Sequence, residues 1–283
     1  VHDSTGHAVE LSRPASRIIT LAPHLAELVF VAGAGAALVG VSDFSDYPDA
    51  LANVPSIGGA TSLSIEAVLR LRPDLVVAWS SGNPAPKVNA IRWAGIPVFE
   101  HETGHLDDIA ATVRTLGVLA GTAATAGFAA ADYEARLAAL RERHADRKSV
   151  RVFYQIWDPP LLTVGGRHLI TDVMRACGGA NVFASASLLV PRVSREAVLI
   201  ADPDVIVASG MDDERPAWLD AWKLHPGLHA VQSGQLEFVP ARLLQRPTPR
   251  ILEGAELLCG RIDAARTQSA ARSARVVRQA VSK

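Results

Sequence analysis

Aromatic residues, cysteines and net charge are all scarce in this sequence of 283 residues. Phe, Trp and Tyr together make up 5% of the chain, there are two cysteines, and the formal net charge is −1. A net charge near zero excludes the strongly basic surfaces that bind nucleic acid or acidic membranes. The basic residues comprise 24 Arg and 4 Lys and are dispersed along the chain, so they indicate no arginine-rich binding patch.

The sequence also lacks a hydrophobic run long enough to cross a bilayer. Its most apolar stretch, residues 28–41, has 14 residues, whereas a spanning helix needs about 20. There is no signal peptide, yet the chain begins with Val1 rather than Met, which indicates that an upstream segment was removed or left out. Whether a lipid anchor preceded Val1 stays open. With 49% hydrophobic residues, the chain can bury a large core, and its length predicts two domains.

Two common catalytic motifs are absent, and a third, a zinc-binding pattern, occurs in a segment where we do not expect the helix that it requires. Neither a G-x-S-x-G nucleophile elbow nor a phosphate-binding Walker loop occurs. The string His101-Glu102-Thr103-Gly104-His105 matches the H-E-x-x-H pattern, in which two histidines one helical turn apart bind zinc and the glutamate acts as general base. Because the string directly follows an apolar strand and contains a glycine, we expect a strand-to-helix loop here. A zinc hydrolase using His101, Glu102 and His105 is retained as the alternative from a different class.

An internal repeat organises the chain. Residues 64–78 and 194–208 are identical at nine of 15 positions, at a constant offset of 130. Each copy has a serine suited to cap a helix, a glutamate in the first turn, a proline that stops the helix and an apolar run typical of a buried strand. The repeat predicts two similar α/β lobes with mainly parallel, Rossmann-like sheets.

Between the two copies, residues 122–147 have the spacing of one long helix. It is too long for a crossover within one small lobe and suits a connection between two. We therefore predict an N-terminal lobe over 1–121, a connecting helix over 122–147, a C-terminal lobe over 148–266, and a tail over 267–283 that is a weak helix or disordered.

The few aromatic residues are placed where open α/β sheets bind ligands. Tyr47, Trp79 and Trp157 each lie just beyond the end of a predicted strand, and ligands bind outside the carboxyl ends of parallel strands. Flat rings at these positions offer stacking area to a large planar ligand. His24 also follows a strand and is a candidate ligand residue, whereas Trp93, Trp218 and Trp222 are on helix-like segments and are expected to pack internally.

Five groups of segments carry a family resemblance that covers the chain from about Arg17 to Ile262. They are Gly40-Val41-Ser42 with Ser45-Asp46-Tyr47-Pro48; Arg72-Pro73-Asp74-Leu75-Val76 with Ala78-Trp79 and Gly82-Asn83; Cys177-Gly178-Gly179-Ala180-Asn181-Val182-Phe183; Val193-Ser194-Arg195-Glu196 with Val198-Leu199; and Arg246 with Pro249-Arg250-Ile251. In order and spacing, the chain resembles the class III periplasmic substrate-binding proteins of ABC importers for cobalamin, haem and siderophores, and most of all the cobalamin binders.

The resemblance implies two lobes joined by one long helix, with the ligand held in a cleft between them. Tyr47 and Trp79 would contribute from the first lobe and Trp157 and Arg246 from the second. It also implies a monomeric periplasmic protein that carries a tetrapyrrole-like ligand, a cobalt corrinoid, and has no catalysis or further cofactor. By the same resemblance, Cys177 and Cys259 form a disulfide, whereas spacing alone leaves two buried thiols equally open.

The resemblance gives the repeated glutamates a role. Glu66 and Glu196 match exposed carboxylates, one on each lobe, that pair with arginines of the membrane permease when the carrier docks on its permease and ATPase complex. From the sequence alone, each is a favourable first-turn charge, and both readings can hold.

The ligand-facing positions depart from the cobalamin pattern. Residues 58–61 and 189–191 lack a Trp, Leu243-Leu244 replaces an expected aromatic pair, and Arg242 stands at a position that is acidic in cobalamin binders. Arg242 and Arg246 would suit an acidic ligand such as haem propionate or a ferric siderophore. A haem or siderophore carrier, with Tyr47 or His24 as iron ligands, is therefore the alternative within the family.

Overall fold

The computed structural model describes residues 1–210 and 214–281, with side chains through residue 268. The strands are β1 (Ile18–Thr20), β2 (Leu38–Val41), β3 (Leu75–Trp79), β4 (Val98–His101), β5 (Val150–Trp157), β6 (Leu162–Thr163), β7 (Gly179–Asn181), β8 (Val205–Ala208) and β9 (Leu236–Phe238). The α-helices are α1 (Pro23–Val29), α2 (Ile65–Arg70), α3 (Ala85–Trp93), α4 (Leu106–Ala120), α5 (Ala123–His144), α6 (Leu169–Ala176), α7 (Arg195–Ala201), α8 (His229–Gln232), α9 (Ala241–Leu244) and α10 (Ile251–Val281).

The chain divides into two compact units. The first comprises Val1–Thr103 and Asp107–Ala135, and the second comprises Gly104–Leu106 and the chain from Arg136 onward. Helix α5 contributes residues to both, because the division falls within it. In the segment predicted as a tail, α10 continues to Val281, and residues 282–283 lie outside the described residues. Across the described ranges, none of the helices is both long and apolar enough to span a membrane.

The first unit contains a parallel four-stranded sheet in the order β2-β1-β3-β4. Ile18 is paired with both Leu38 and Leu75, and Val76 with both Ile19 and Val98, so the central strands β1 and β3 have neighbours on both sides. Their side chains are almost entirely buried, which explains why they read as continuous apolar runs rather than alternating ones.

The second unit contains a five-stranded sheet in the order β6-β5-β8-β9, with β7 also paired to β5. The pairs of β5 with β7 and β8, and of β8 with β9, are parallel, while β6 is antiparallel to β5. The predicted fold class, α/β with two mainly parallel sheets, is therefore confirmed.

The internal repeat corresponds to the same structure in both units. Helices α2 and α7 begin after Ser64 and Ser194, whose hydroxyls accept from the backbone N–H three residues on, at 3.1 and 3.2 Å. Downstream, Asp74 accepts from the backbone N–H of Arg17 at 2.8 Å, and Asp204 accepts from that of Arg151 at 2.8 Å. Each aspartate thus joins the repeat to the start of a central strand.

Each unit has its own hydrophobic core around the repeated helix. In the first, Val68 packs with Ile19 and Val76, and in the second, Val198 packs with Phe153 and Trp222. The prediction that Trp93 packs internally is wrong. It is at the last residue of α3 and is 84% exposed, because Val88 and Ile91 form the buried face of that helix.

Candidate functional site

In the first unit, the predicted ligand residues follow the carboxyl ends of adjacent parallel strands. His24 comes after β1, Tyr47 after β2, and Trp79 is the last residue of β3. Parallel strands end at the same edge of their sheet, so this edge carries all three residues. Tyr47 and Trp79 are partly exposed, whereas His24 is 5% exposed.

The Trp79 ring is held by side chains from two neighbouring strand ends. The His24 ring meets it edge to face, with centroids 5.2 Å apart and planes at 89°. The Trp79 indole Nε1–H donates to Glu102 Oε1 at 3.2 Å, and the Ser81 backbone N–H donates to Glu102 Oε2 at 2.9 Å. His24 therefore supports the ring from the buried side, and Glu102 fixes its polar edge.

The backbone around Trp79 is fixed as tightly as its ring. Its N–H donates to Asn83 Oδ1 at 2.6 Å, and Asn83 Nδ2 donates in turn to the Leu21 carbonyl at 2.9 Å. Gly82 packs directly against the indole, since a Cβ there would come within 1.9 Å of Trp79 Cε3. This position requires glycine because any side chain would displace the ring.

Sequence reasoning missed two residues at this edge. Glu102 was interpreted only as part of the zinc string, although its position directly after β4 gave a signal that it lies at the sheet edge. Phe44 lies in the loop after β2, three residues before Tyr47, and is 83% exposed with a left-handed φ of 63°. Left-handed backbone is unfavourable for a bulky residue, and a single sequence gives no signal for it.

The zinc-binding arrangement of the H-E-x-x-H string is not formed. His101 is the last residue of β4, and α4 begins only at Leu106, so the two histidines do not occupy one helix. His101 is buried, its Nε2 is 2.7 Å from Thr103 Oγ1, and burial lowers the pKa of its imidazole to about 4. Among the residues whose side chains are described, no group of three or more His, Cys, Asp or Glu is arranged to hold a metal ion.

In the second unit, the predicted residues follow β5 and β9. Trp157 is the last residue of β5, is partly buried, and donates from Nε1 to the Pro159 carbonyl at 2.8 Å. Arg242 lies exposed in α9, and Arg246 follows that helix and is partly buried. Leu243-Leu244, between these arginines, is buried in the core.

A side-chain network connects the end of β5 to the repeated helix α7. The Asp158 carboxylate pairs with the Arg195 guanidinium, which lies over the Trp222 ring, 5.2 Å from its centroid. The Trp222 indole Nε1–H donates to Gln155 Oε1 at 2.7 Å. Because Gln155 is a residue of β5, both ends of the network lie at this strand. Sequence reasoning missed this network because its members are distant in the chain.

Glu66 and Glu196 are exposed in the first turns of α2 and α7. The pKa of Glu196 lies below its usual range, chiefly because its own backbone N–H and the Ser194 hydroxyl bond its carboxylate. Glu196 is therefore a solvated anion at neutral pH.

The two cysteines form a disulfide. Cys177 and Cys259 have an S–S distance of 2.02 Å and Cα atoms 4.8 Å apart, across a sequence separation of 82. The bond joins the end of α6 to α10. Closing a loop of this length stabilises a protein by about 4–5 kcal/mol in the chain-entropy account.

Sequence and structure are both similar to known periplasmic proteins. Residues 18–243 match the sequence profile of the periplasmic binding protein family. The chain is 36% identical to the vitamin B12-binding protein of Vibrio cholerae over 255 residues, which cover 90% of this chain and 92% of that protein.

Two solved structures illustrate the range of similar folds. A crystal structure of the periplasmic vitamin B12 binding protein of Vibrio cholerae matches with a TM-score of 0.81 at 35% identity, covering 89% of this chain and 98% of that one. The periplasmic heme-binding protein of Roseiflexus sp. RS-1, in its apo form, matches with a TM-score of 0.76 at 25% identity, covering 89% and 99%. The fold is thus common to both, and the higher identity is to the vitamin B12 binder.

Proposed function

The chain belongs to the periplasmic binding protein family, and from this membership we propose that it captures cobalamin or a related corrinoid in the periplasm for an ABC importer. The observation that carries the proposal is the 36% identity to a vitamin B12-binding protein over 90% of the chain. No catalytic step is part of the proposed role, which consists of binding, release and docking.

The residues at each sheet edge suit a large planar ligand with polar substituents. Tyr47, Trp79 and Trp157 offer ring faces for stacking and apolar contact with a corrin. Arg242 and Arg246 offer guanidinium donors for the phosphate and carbonyl oxygens that a cobalamin carries at its periphery. His24 contributes by holding the Trp79 ring.

The second candidate ligand is haem or a ferric siderophore. The pair of arginines after β9 also suits this candidate, since their guanidinium groups would neutralise carboxylates of such a ligand.

Absorbance titrations with cyanocobalamin, haem and a ferric siderophore test the ligand. We expect saturable 1:1 binding of cyanocobalamin, and at least roughly tenfold weaker binding after Trp79→Ala, because a stacked ring contributes on the order of 1.4 kcal/mol. If haem binds saturably and cyanocobalamin does not bind, the corrinoid proposal is wrong and the second candidate ligand takes its place.

Docking on the importer is proposed to use Glu66 and Glu196, which pair with cationic side chains of the permease. We expect Glu66→Ala with Glu196→Ala to abolish uptake while leaving the dissociation constant for cyanocobalamin unchanged, because neither carboxylate lies at a strand end with the ligand residues. A matched control is Glu142→Ala, which removes an exposed helical glutamate from α5. Loss of ligand binding in the double variant would contradict the docking role.

A further inference from the structure

Each repeated helix leaves a leucine exposed close to the glutamate proposed for docking. Leu69 is 42% exposed and Leu199 is 36% exposed, whereas the valines that precede them, Val68 and Val198, are completely buried. Leaving a large apolar side chain in water forgoes the free energy of burying it. Because the same repeat position is exposed in both units, the exposure of this leucine is not a peculiarity of one helix.

Helix geometry puts each leucine on the same face as its glutamate. Glu66 and Leu69, and likewise Glu196 and Leu199, are three residues apart, a spacing that makes side chains neighbours on a helix surface. Neither leucine belongs to the hydrophobic cluster of its unit, where the repeated valine fills the helix contact. Each helix therefore presents an anion with an adjacent apolar side chain to solvent.

In the second unit, this apolar surface is larger. Ile200, one turn after Glu196, and Leu224 are both exposed. Leu199 and Leu224 line a shallow groove of about 480 Å³ with the segment from His225 to Leu228. His225, which lines the groove, is one of the groups that lower the pKa of the Glu196 carboxyl, so the groove adjoins the carboxylate.

We propose that Leu69 and Leu199 form, with Glu66 and Glu196, the docking surface for the importer permease, and that each permease contact combines a guanidinium with an apolar side chain. The inference rests on the proposed function and extends it from two charges to two composite patches. An exposed ion pair alone contributes little, because water screens it and both side chains lose entropy. An apolar contact beside it excludes water and strengthens the pair.

Charge decides between the permease and a second copy of this chain as the occupant. Glu66 and Glu196 lie at the centre of the two patches. Arg70 is exposed beside Leu69, but α7 has Ile200 at that repeat position, so joining two copies through the second patch would bring like charges together. A partner with cations at two sites is complementary to both patches.

The test is the double variant Leu69→Gln with Leu199→Gln, because glutamine keeps the side-chain length and helix propensity while removing apolar surface. The matched control is Leu257→Gln, which changes a leucine of similar exposure, 45%, on α10. Binding to the cognate permease–ATPase complex in nanodiscs is measured by interferometry, and cyanocobalamin affinity is titrated on the same preparations. We expect the double variant to dock at least roughly tenfold more weakly with unchanged cyanocobalamin affinity, and the control to match wild type.

Two results would overturn the inference, and a third would count against the proposed function instead. Docking of the double variant with wild-type affinity would exclude the leucines from the interface. Self-association of the wild type in sedimentation, lost in the double variant, would make a second copy the occupant. If the wild type neither binds cyanocobalamin nor docks, the proposed function itself fails.

Discussion

The indole of Trp79 is confined by contacts on three sides. His24 meets it edge to face, Glu102 accepts from its Nε1–H, and Gly82 leaves just enough space for the ring to lie against the backbone. A ring that is already fixed loses little entropy when a ligand stacks on it. We therefore expect Gly82 to affect ligand binding through Trp79.

The substitution Gly82→Ala tests this confinement. The added methyl would overlap the indole, so the ring must move, and we expect cyanocobalamin affinity to fall at least roughly tenfold, as in Trp79→Ala. Gly127→Ala is the control, because a Cβ at Gly127 meets nothing within 4 Å. Calorimetric titration measures the affinities, and an unchanged affinity in Gly82→Ala would show that ring placement is unimportant.

Phe44 combines two unfavourable features, a left-handed backbone and a ring that is 83% exposed. Such features concentrate at binding sites, where another interaction compensates for them. With Tyr47 in the same loop, Phe44 would enlarge a sparse aromatic surface.

For Phe44→Asn, we expect roughly tenfold weaker binding of cyanocobalamin and an unchanged or higher free energy of unfolding. Asparagine tolerates the left-handed conformation better than phenylalanine does, so only the ring is lost. Urea denaturation and the same titration measure the two quantities. Equal affinities of variant and wild type would exclude Phe44 from the ligand site.

Among the secondary-structure elements, β5 and α7 are joined by more than backbone packing. The pair of Asp158 with Arg195, and the stacking of Arg195 on Trp222, connect the strand end that carries Trp157 to the helix that carries Glu196. In the first unit, Ile65 occupies the repeat position of Arg195 and cannot form this ion pair.

A double-mutant cycle of Arg195→Ile and Asp158→Asn measures this connection. We expect each single variant to lower the free energy of unfolding by about 1–2 kcal/mol, because each leaves a partly buried charge without its partner. Their effects should be non-additive by about 1 kcal/mol. Additive losses in urea denaturation would indicate two independent contacts.

The repeated helices were predictable from the sequence because their signals are local. Ser64 and Ser194 cap them, and a proline with an apolar run marks the strand that follows. The H-E-x-x-H string is a counterexample, since its pattern presumes a helix and His101 ends a strand. A motif of five letters carries no information about the hydrogen bonds that fix its backbone.

For the whole molecule, buried His101 in the first unit and partly buried His168 in the second make stability depend on pH. Burial lowers the pKa of both His101 and His168 from an ordinary value of 6.5 to about 4. His168 also caps α6, where its Nδ1 accepts from the Ile170 backbone N–H at 3.1 Å, which requires a neutral ring nitrogen. Between pH 6.5, the pKa in the unfolded chain, and about pH 4, the pKa in the folded chain, the unfolded chain binds more protons than the folded one. The free energy of unfolding therefore falls as pH decreases through this range.

Above pH 6.5, we expect these histidines to leave the free energy of unfolding independent of pH. Between pH 7.0 and pH 4.5, each histidine should lower the free energy of unfolding by roughly 2 kcal/mol. Urea denaturation at pH 7.0 and 4.5 measures the difference. The variant His101→Gln with His168→Asn removes both titrations, and asparagine keeps a helix cap. An undiminished pH dependence in that variant would assign it to other groups.

The candidate site was predictable in part. Tyr47, Trp79 and Trp157 follow strand ends that the sequence marks by apolar runs, whereas Arg242 and Arg246 are named only through the family resemblance. The position of Glu102 after β4 indicates the sheet edge, but its contact with Trp79, like that of Gly82, is visible only in the folded structure. No local signal reports the backbone conformation of Phe44.

The sequence by itself determined the α/β class, the two similar units and the helix caps, because these depend on hydrophobic periodicity and on residues close together in the chain. Tertiary structure alone decided which side chains surround Trp79, that Trp93 is exposed, and that Arg195 pairs with Asp158. These contacts join residues from different strands and helices, and their energies depend on distance and burial that exist only after the chain has folded.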